Sequence, residues 1–283
     1  MVKLSHTIFG LPFTLASAAL AHRWAVEHGD PGVTWLKLAL IVLAFTGART
    51  AAMGFNRIVD RDVDAENPRT ATRELPAGTV GLRSAWTLTL ASAGVFVGAA
   101  ALLGWLPFVL SPVCLAIVFG YSFFKRFSAA AHMFLGLALA LAPGGAWIAV
   151  TGDLTGWPIP VLLMGAVATW VAGFDVLYSL QDEEFDRSRG LHSIPAALGT
   201  RGAVVVSALL HVGTVALLGS LHVVAGLGWG HVAGVAGVTG ILVYEHWLVG
   251  PGDLSKIDRA FFDLNGYVSI GYLAALLIDL LVL

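Results

Sequence analysis

The run VTWLKLALIVLAFTGARTAAMGFNRIVDRDVD, from Val33 to Asp64, decides the architecture. Its first part, Val33 to Phe55, is apolar over the roughly 20 residues that a helix needs to cross the hydrocarbon core of a bilayer. It then ends in a polar residue and two aspartates at regular intervals, Asn56, Asp60 and Asp64. On a helix these three positions lie at i, i+4 and i+8 and share one face. Arg49 sits within the apolar part, nearly two helical turns deeper than Asn56, where a guanidinium is costly and usually functional.

Outward from this stretch the chain keeps the same character. Of its 283 residues 57% are apolar and 12% charged, with a mean hydropathy of +0.82, against about 25% charged residues in soluble domains. A soluble fold of this size would leave too much apolar surface exposed, so the bilayer is the solvent. Runs between charge or Gly/Pro clusters give nine expected spans: Ser5 to Val26, Val33 to Phe55, Ser84 to Leu103, Leu106 to Phe124, Ala129 to Val150, Pro158 to Leu180, Gly202 to Gly226, Trp229 to Val249 and Phe261 to Leu283. They predict an all-α polytopic membrane protein, a bundle around a central cavity forming a single domain over 1–283. Ala19-Leu20-Ala21 resembles a signal-peptidase site, but the run is long and its leader carries only Lys3, so it is read as a retained first span.

Basic residues accumulate on the cytoplasmic side of membrane proteins. With the N-terminus inside, every Lys and Arg except Arg23, Lys37 and Arg49 falls on that side, while Trp24, Trp35, Trp105, Trp147, Trp157 and Trp229 fall at the outer ends. The expectation is therefore integration in the cell's inner membrane with cytoplasmic N-terminus and functional loops. The net charge of −2 gives no basic surplus for nucleic acid. Cys114, the single cysteine, reads as a small packing residue. Abundant glycine and alanine fit close helix packing.

A second acidic segment ends the sixth span: Tyr178, Asp182 and Asp186 repeat the spacing of Asn56, Asp60 and Asp64 on the same side of the membrane, with Asp175 just before. If the four aspartates converge, each like-charge pair about 5 Å apart costs roughly 3 kcal/mol at an effective dielectric near 20. A divalent cation relieves that repulsion. Mg²⁺ suits it, because it binds through one or two carboxylates, keeps waters and takes further ligands from substrate phosphates. Asp60, Asp64, Asp182 and Asp186 are thus the candidate metal ligands of a diphosphate clamp. Arg69 and Arg73, in the loop after the first cluster, and Lys125 and Arg126, in the next inner loop, either grip phosphate oxygens or serve as positive-inside anchors. Arg49 is read as a partner for diphosphate or an acceptor carboxylate, or as half of a structural ion pair. His192, in the loop closing the second cluster, supports that loop or touches diphosphate. His6, His132, His211, His222 and His231 show no metal-ligand spacing and read as packing or interface residues.

These residues resemble the UbiA superfamily of intramembrane aromatic prenyltransferases. Its N-x-x-x-D-x-x-x-D motif is matched by Asn56, Asp60 and Asp64, and its second D-x-x-x-D motif by Asp182 and Asp186. The run Arg69 to Gly78 is similar to the family's first loop, and Tyr121 to Arg126 to its Tyr-x-x-x-Lys-Arg segment. The chain looks most like 4-hydroxybenzoate polyprenyltransferases, and Lys3 to Phe13 and Ala172 to Tyr178 resemble the branch linked to menaquinone made by the futalosine route. The resemblance implies Mg²⁺-dependent transfer of a polyprenyl group from its diphosphate to an aromatic acid, a hydroxybenzoate or dihydroxynaphthoate, in quinone biosynthesis. It implies a nine-helix fold, with Asn56 orienting the first cluster and membrane lipid around the chain. Asp175 is then the candidate base, or a structural hydrogen-bonding group. Tyr178 and Phe174 could shelter an allylic cation. The alternative reading is a cation-coupled transporter with intramembrane acids, which places its key acids at mid-bilayer on broken helices.

Overall fold

The computed structural model describes residues 7–249, 257 and 260–282. Lys3, Lys256 and Arg259, expected on the inner side, and the opening stretch through His6 lie outside the described residues.

Nine helices of 18 or more residues run through the described residues: α1 (Thr7–Glu27), α2 (Trp35–Val59), α4 (Leu82–Leu103), α5 (Trp105–Phe124), α6 (Ala131–Thr151), α7 (Pro158–Tyr178), α9 (Ile194–Val224), α10 (Trp229–Leu248) and α11 (Asn265–Val282). Two short helices, α3 (Arg61–Glu66) and α8 (Glu183–Ser188), carry the acidic segments. Seven of the long helices are apolar enough to cross a membrane on composition alone. The other two, α1 and α10, are diluted by His22 and Arg23 and by His231, Glu245 and His246. The protein is an all-α polytopic membrane protein. Helix α9 starts before the expected Gly202 because a first turn from Ile194 joins it across Gly199, whose φ of 68° breaks the helical path. Such a backbone favours glycine.

Neighbouring pairs build the bundle: α2 on α4, α4 on α5, α5 on α6, α6 on α7, α7 on α9, and α10 on α11. Helix α1 lies between α6 and α11, with Phe13, Ala16 and Ala21 buried. Small residues set the closest approaches. A Cβ on Gly136 of α6 would stand 2.2 Å from the carbonyl oxygen of Ala168 on α7, so only glycine permits that contact.

At one end, Trp35, Trp105 and Trp229 begin their helices, Trp157 immediately precedes α7, and all four are exposed, as an interfacial aromatic belt requires. Trp147 departs from the expected belt. It is fully buried and donates its indole N–H to the Thr155 carbonyl at 2.9 Å, because the Asp153–Gly156 turn folds back over it. The two basic residues assigned to this end cap chain carbonyls: Lys37 Nζ reaches Val150 O at 3.0 Å, and Arg23 Nη2 reaches Gly226 O at 3.3 Å. Cations at helix C-termini are stabilising.

Candidate active site

At the opposite end, neither acidic segment continues its helix unbroken. Asp60 caps α2 and opens α3, and Ser179–Asp182 tighten into a 3₁₀ turn between α7 and α8. Backbone bonds nevertheless keep the i to i−4 rhythm through the first break: Asp60 N donates to Asn56 O at 2.9 Å and Asp64 N to Asp60 O at 2.7 Å. Asn56 Nδ2 also donates to Asp60 Oδ2 at 2.8 Å, with Ser122 Oγ at 3.5 Å. Burial and the neighbouring Asp64 push the Asp60 carboxyl up to about 6, against the pull of Arg126, Lys125 and Asn56.

The loop after α3 brings the two clusters together. Asn67 Nδ2 donates to Asp182 Oδ1 at 3.0 Å, and Glu66 pairs with Arg189 at 3.1 Å. Arg69 clamps Asp182, donating from Nε to Oδ1 at 2.9 Å and from Nη2 to Oδ2. Its Nη1 donates to the Tyr178 hydroxyl at 3.2 Å. Arg73 Nη1 donates to both oxygens of Asp64, at 2.6 and 2.8 Å, with Arg57 at 3.7 Å. Lys125 lies 3.0 Å from Asp186, which is 1% exposed and accepts no hydrogen bond at either oxygen. The expected clamp residues Arg69, Arg73 and Lys125 therefore each face one of the four aspartates. Arg126 instead donates to Val59 O at 2.8 Å, at the end of α2. His192 is exposed, and its backbone N–H bonds Lys125 O at 2.8 Å, which ties the second loop to the third. Among the described residues, no three or more His, Cys, Asp or Glu side chains already converge as a metal cage.

Above this charged floor opens a cavity of about 590 Å³ walled by α1, α2, α4, α5, α6 and α7. Its polar mouth is formed by Arg49, Asn56, Arg57, Arg73, Tyr121, Asp175 and Tyr178, and its body by apolar groups such as Phe45, Phe96, Leu110 and Ile117. Such a shape accepts an amphiphile with an anionic head and a long hydrocarbon tail. The key acids lie at helix ends beside arginines, the arrangement expected for a phosphate ligand and not for the mid-bilayer site of a transporter.

The model of the UbiA prenyltransferase family matches residues 10–267. The chain belongs to the UbiA prenyltransferase family. A 4-hydroxybenzoate octaprenyltransferase of Nitrosospira multiformis is 31% identical over 264 residues, 92% of this chain and 88% of that protein. The apo structure of a UbiA homolog from Aeropyrum pernix is 36% identical, with a TM-score of 0.89 over 99% of this chain and 100% of that one. A UbiA homolog from Archaeoglobus fulgidus, solved bound to DMAPP and Mg²⁺, shares the fold at 20% identity, with a TM-score of 0.71 over 98% of this chain and 99% of that one. This UbiA protein is a prenyltransferase.

One residue of the site escaped sequence reasoning. His132 of α6 is buried, and its Nδ1 lies 2.6 Å from Asp175 Oδ2 on α7. A search for metal-ligand spacing could not find it, since its partner is far along the chain. The usable signal was Asp175 itself, because an acid inside an apolar span calls for a partner.

Proposed function

We propose that this enzyme transfers a polyprenyl group from a polyprenyl diphosphate to a carboxylated aromatic ring, a hydroxybenzoate or dihydroxynaphthoate, in quinone biosynthesis, with Mg²⁺ as cofactor. The observation that carries this reading is a cavity that joins an apolar body to a mouth lined by Arg49, Asn56, Arg57 and Arg73, of which Asn56 bonds Asp60 and Arg73 bonds Asp64. Asp60, Asp64, Asp182 and Asp186 would hold the metal. The fit rests on their chemistry: hard oxygen donors, one of which, Asp186, is buried with both oxygens lacking a hydrogen bond. A preformed three-ligand cage is not required, because Mg²⁺ keeps waters and completes its shell with phosphate oxygens. When bound, the metal neutralises charge that grows on the departing diphosphate.

The chain's own groups do the remaining work. Asn56 fixes Asp60 by its 2.8 Å bond. Arg69, Arg73 and Lys125 neutralise the aspartates in the absence of substrate and exchange part of that contact for phosphate oxygens when it binds. Arg126 and His192 brace the loops around the diphosphate. Arg49, deeper in the mouth, meets the acceptor's carboxylate or the diphosphate. Tyr178, held by Arg69, lines the cavity where an allylic cation forms. Asp175 faces the acceptor as proton acceptor. The whole of 1–283 acts as one domain, with N-terminus and loops in the cytoplasm.

The test offers labelled polyprenyl diphosphates with 4-hydroxybenzoate or dihydroxynaphthoates to membranes containing the protein, with and without Mg²⁺. Asp60→Asn and Asp182→Asn are expected to abolish turnover while the protein still inserts. Near-normal rates in either variant remove the metal assignment, and absence of prenylated product with every pairing removes the acceptor class.

A further inference from the structure

The cavity wall contains a second polar pair whose far member never touches the cavity. Asp175 lines the cavity, whereas His132 lies behind it, 3% exposed at the side chain, with Nδ1 2.6 Å from Asp175 Oδ2. The other ring nitrogen has its own partner: Ile194 N donates to His132 Nε2 at 3.4 Å. A neutral imidazole whose Nε2 accepts from a backbone N–H must carry its proton on Nδ1. That proton points at Asp175. Ile194 is the first residue of α9, directly after Ser193, whose side chain caps the helix by accepting from Ala196 N. The imidazole therefore bridges α6, α7 and the start of α9, and the loop behind it closes the second acidic cluster.

We propose that His132 is a positioning residue that orients Asp175 to accept the proton lost from the aromatic ring. This rests on the prenyltransfer reading above. The balance of the step is simple. The bond between the prenyl C1 and the diphosphate oxygen breaks, and its electron pair leaves with diphosphate. A ring carbon then bonds to C1, the C–H bond at that carbon breaks, its electrons restore aromaticity, and the proton moves to the Asp175 carboxylate. By occupying Oδ2 with a fixed donor, His132 leaves Oδ1 for the cavity. Without that donor the carboxylate is free to rotate, and the buried imidazole site is lost as an anchor for the start of α9.

The test compares wild type, His132→Ala, His132→Asn and Asp175→Asn in one membrane assay, using acceptor with hydrogen or deuterium on the ring position that is alkylated. An asparagine amide nitrogen can stand near the position of Nδ1 and donate to Asp175. The expected result is a fall in kcat of about 10- to 100-fold for His132→Ala, the scale of losing an orienting partner, with little change in KM for polyprenyl diphosphate. Deuterium should slow His132→Ala more than wild type, since proton removal then limits the rate. His132→Asn should recover most of the loss, and Asp175→Asn should lose at least 100-fold. Wild-type kcat with an unchanged isotope effect in His132→Ala overturns the proposal, as does full activity of Asp175→Asn, which would leave diphosphate or water as proton acceptor. If His132→Ala does not insert, the ratio of His132→Asn to Asp175→Asn decides: equal losses refute the positioning role. A wild-type protein that prenylates no aromatic acid instead refutes the reading of function beneath it.

Discussion

Replacing Lys125 by Met removes the cation beside a carboxylate that has no hydrogen bond to fall back on. The Lys125 to Asp186 separation is 3.0 Å, which corresponds to about 5.5 kcal/mol of attraction at an effective dielectric of ~20. Two corrections reduce it. Both groups were desolvated to form the pair, and the Lys125 side chain is 37% exposed, so water screens part of the attraction. Breaking a fully buried pair costs about 3–5 kcal/mol, while exposed pairs contribute about 1 or less. This pair falls between, at roughly 2–3 kcal/mol, or about 4–10 °C in melting temperature for a chain of this size. Lys125→Met should therefore melt lower than wild type in metal-free detergent solution. Adding Asp186→Asn should restore most of the difference, because the stranded charge is gone. Mg²⁺ without diphosphate should stabilise Lys125→Met more than wild type, since the ion supplies the charge that was removed. Equal melting of Lys125→Met and wild type, or a double variant that falls by the sum of the two singles, refutes the reasoning.

Other consequences follow from the same geometry. Asp60, raised from 3.8 to about 6 by burial and by Asp64, is ionised only above that range. Its charge destabilises the fold there, and protonation relieves that cost as pH falls through about 6. The same protonation removes a ligand, so Mg²⁺ titrations should show weaker binding at pH 5.5 than at 7.5; affinity that does not fall with pH argues against Asp60 as a ligand. Gly136→Ala places a Cβ where the Ala168 carbonyl stands at 2.2 Å. Forcing α6 from α7 should cost about 1–3 kcal/mol and weaken the His132 to Asp175 contact, which spans the same two helices; an unfolding midpoint equal to that of wild type would count against this packing. In a Cys114→Ser background, Asp153→Cys should react with a membrane-impermeant maleimide on intact cells and Arg189→Cys only after permeabilisation; the reverse pattern inverts the orientation.

The spans were legible because a bilayer imposes one requirement, a long apolar run, on every crossing helix. Helices α1 and α10 were found by the same rule despite their polar residues, since Lys3 and the Gly226–Trp229 break still bound them. In the candidate site, the spacing of the acids was legible and the directions of the bases only partly so. Spacing alone brought Asp60 and Asp64, and Asp182 and Asp186, into matching segments, yet it implied unbroken helices where the chain turns at Asp60 and at Ser179–Asp182. Those breaks allow the Asn67–Arg73 loop to fold across and join the clusters, a long-range event that local periodicity does not encode. Arginine direction was equally hidden. Arg69 and Arg126 read alike in sequence, but one meets Asp182 and the other a helix-end carbonyl. The His132–Asp175 pair lay furthest from view, because its physical cause is the contact of α6 with α7 at Gly136, not the spacing of any motif. If that crossing sets the pair, the distance between two apolar helices governs how the reaction's last proton leaves. Small residues inside the membrane then belong to the chemistry as much as the aspartates at its edge.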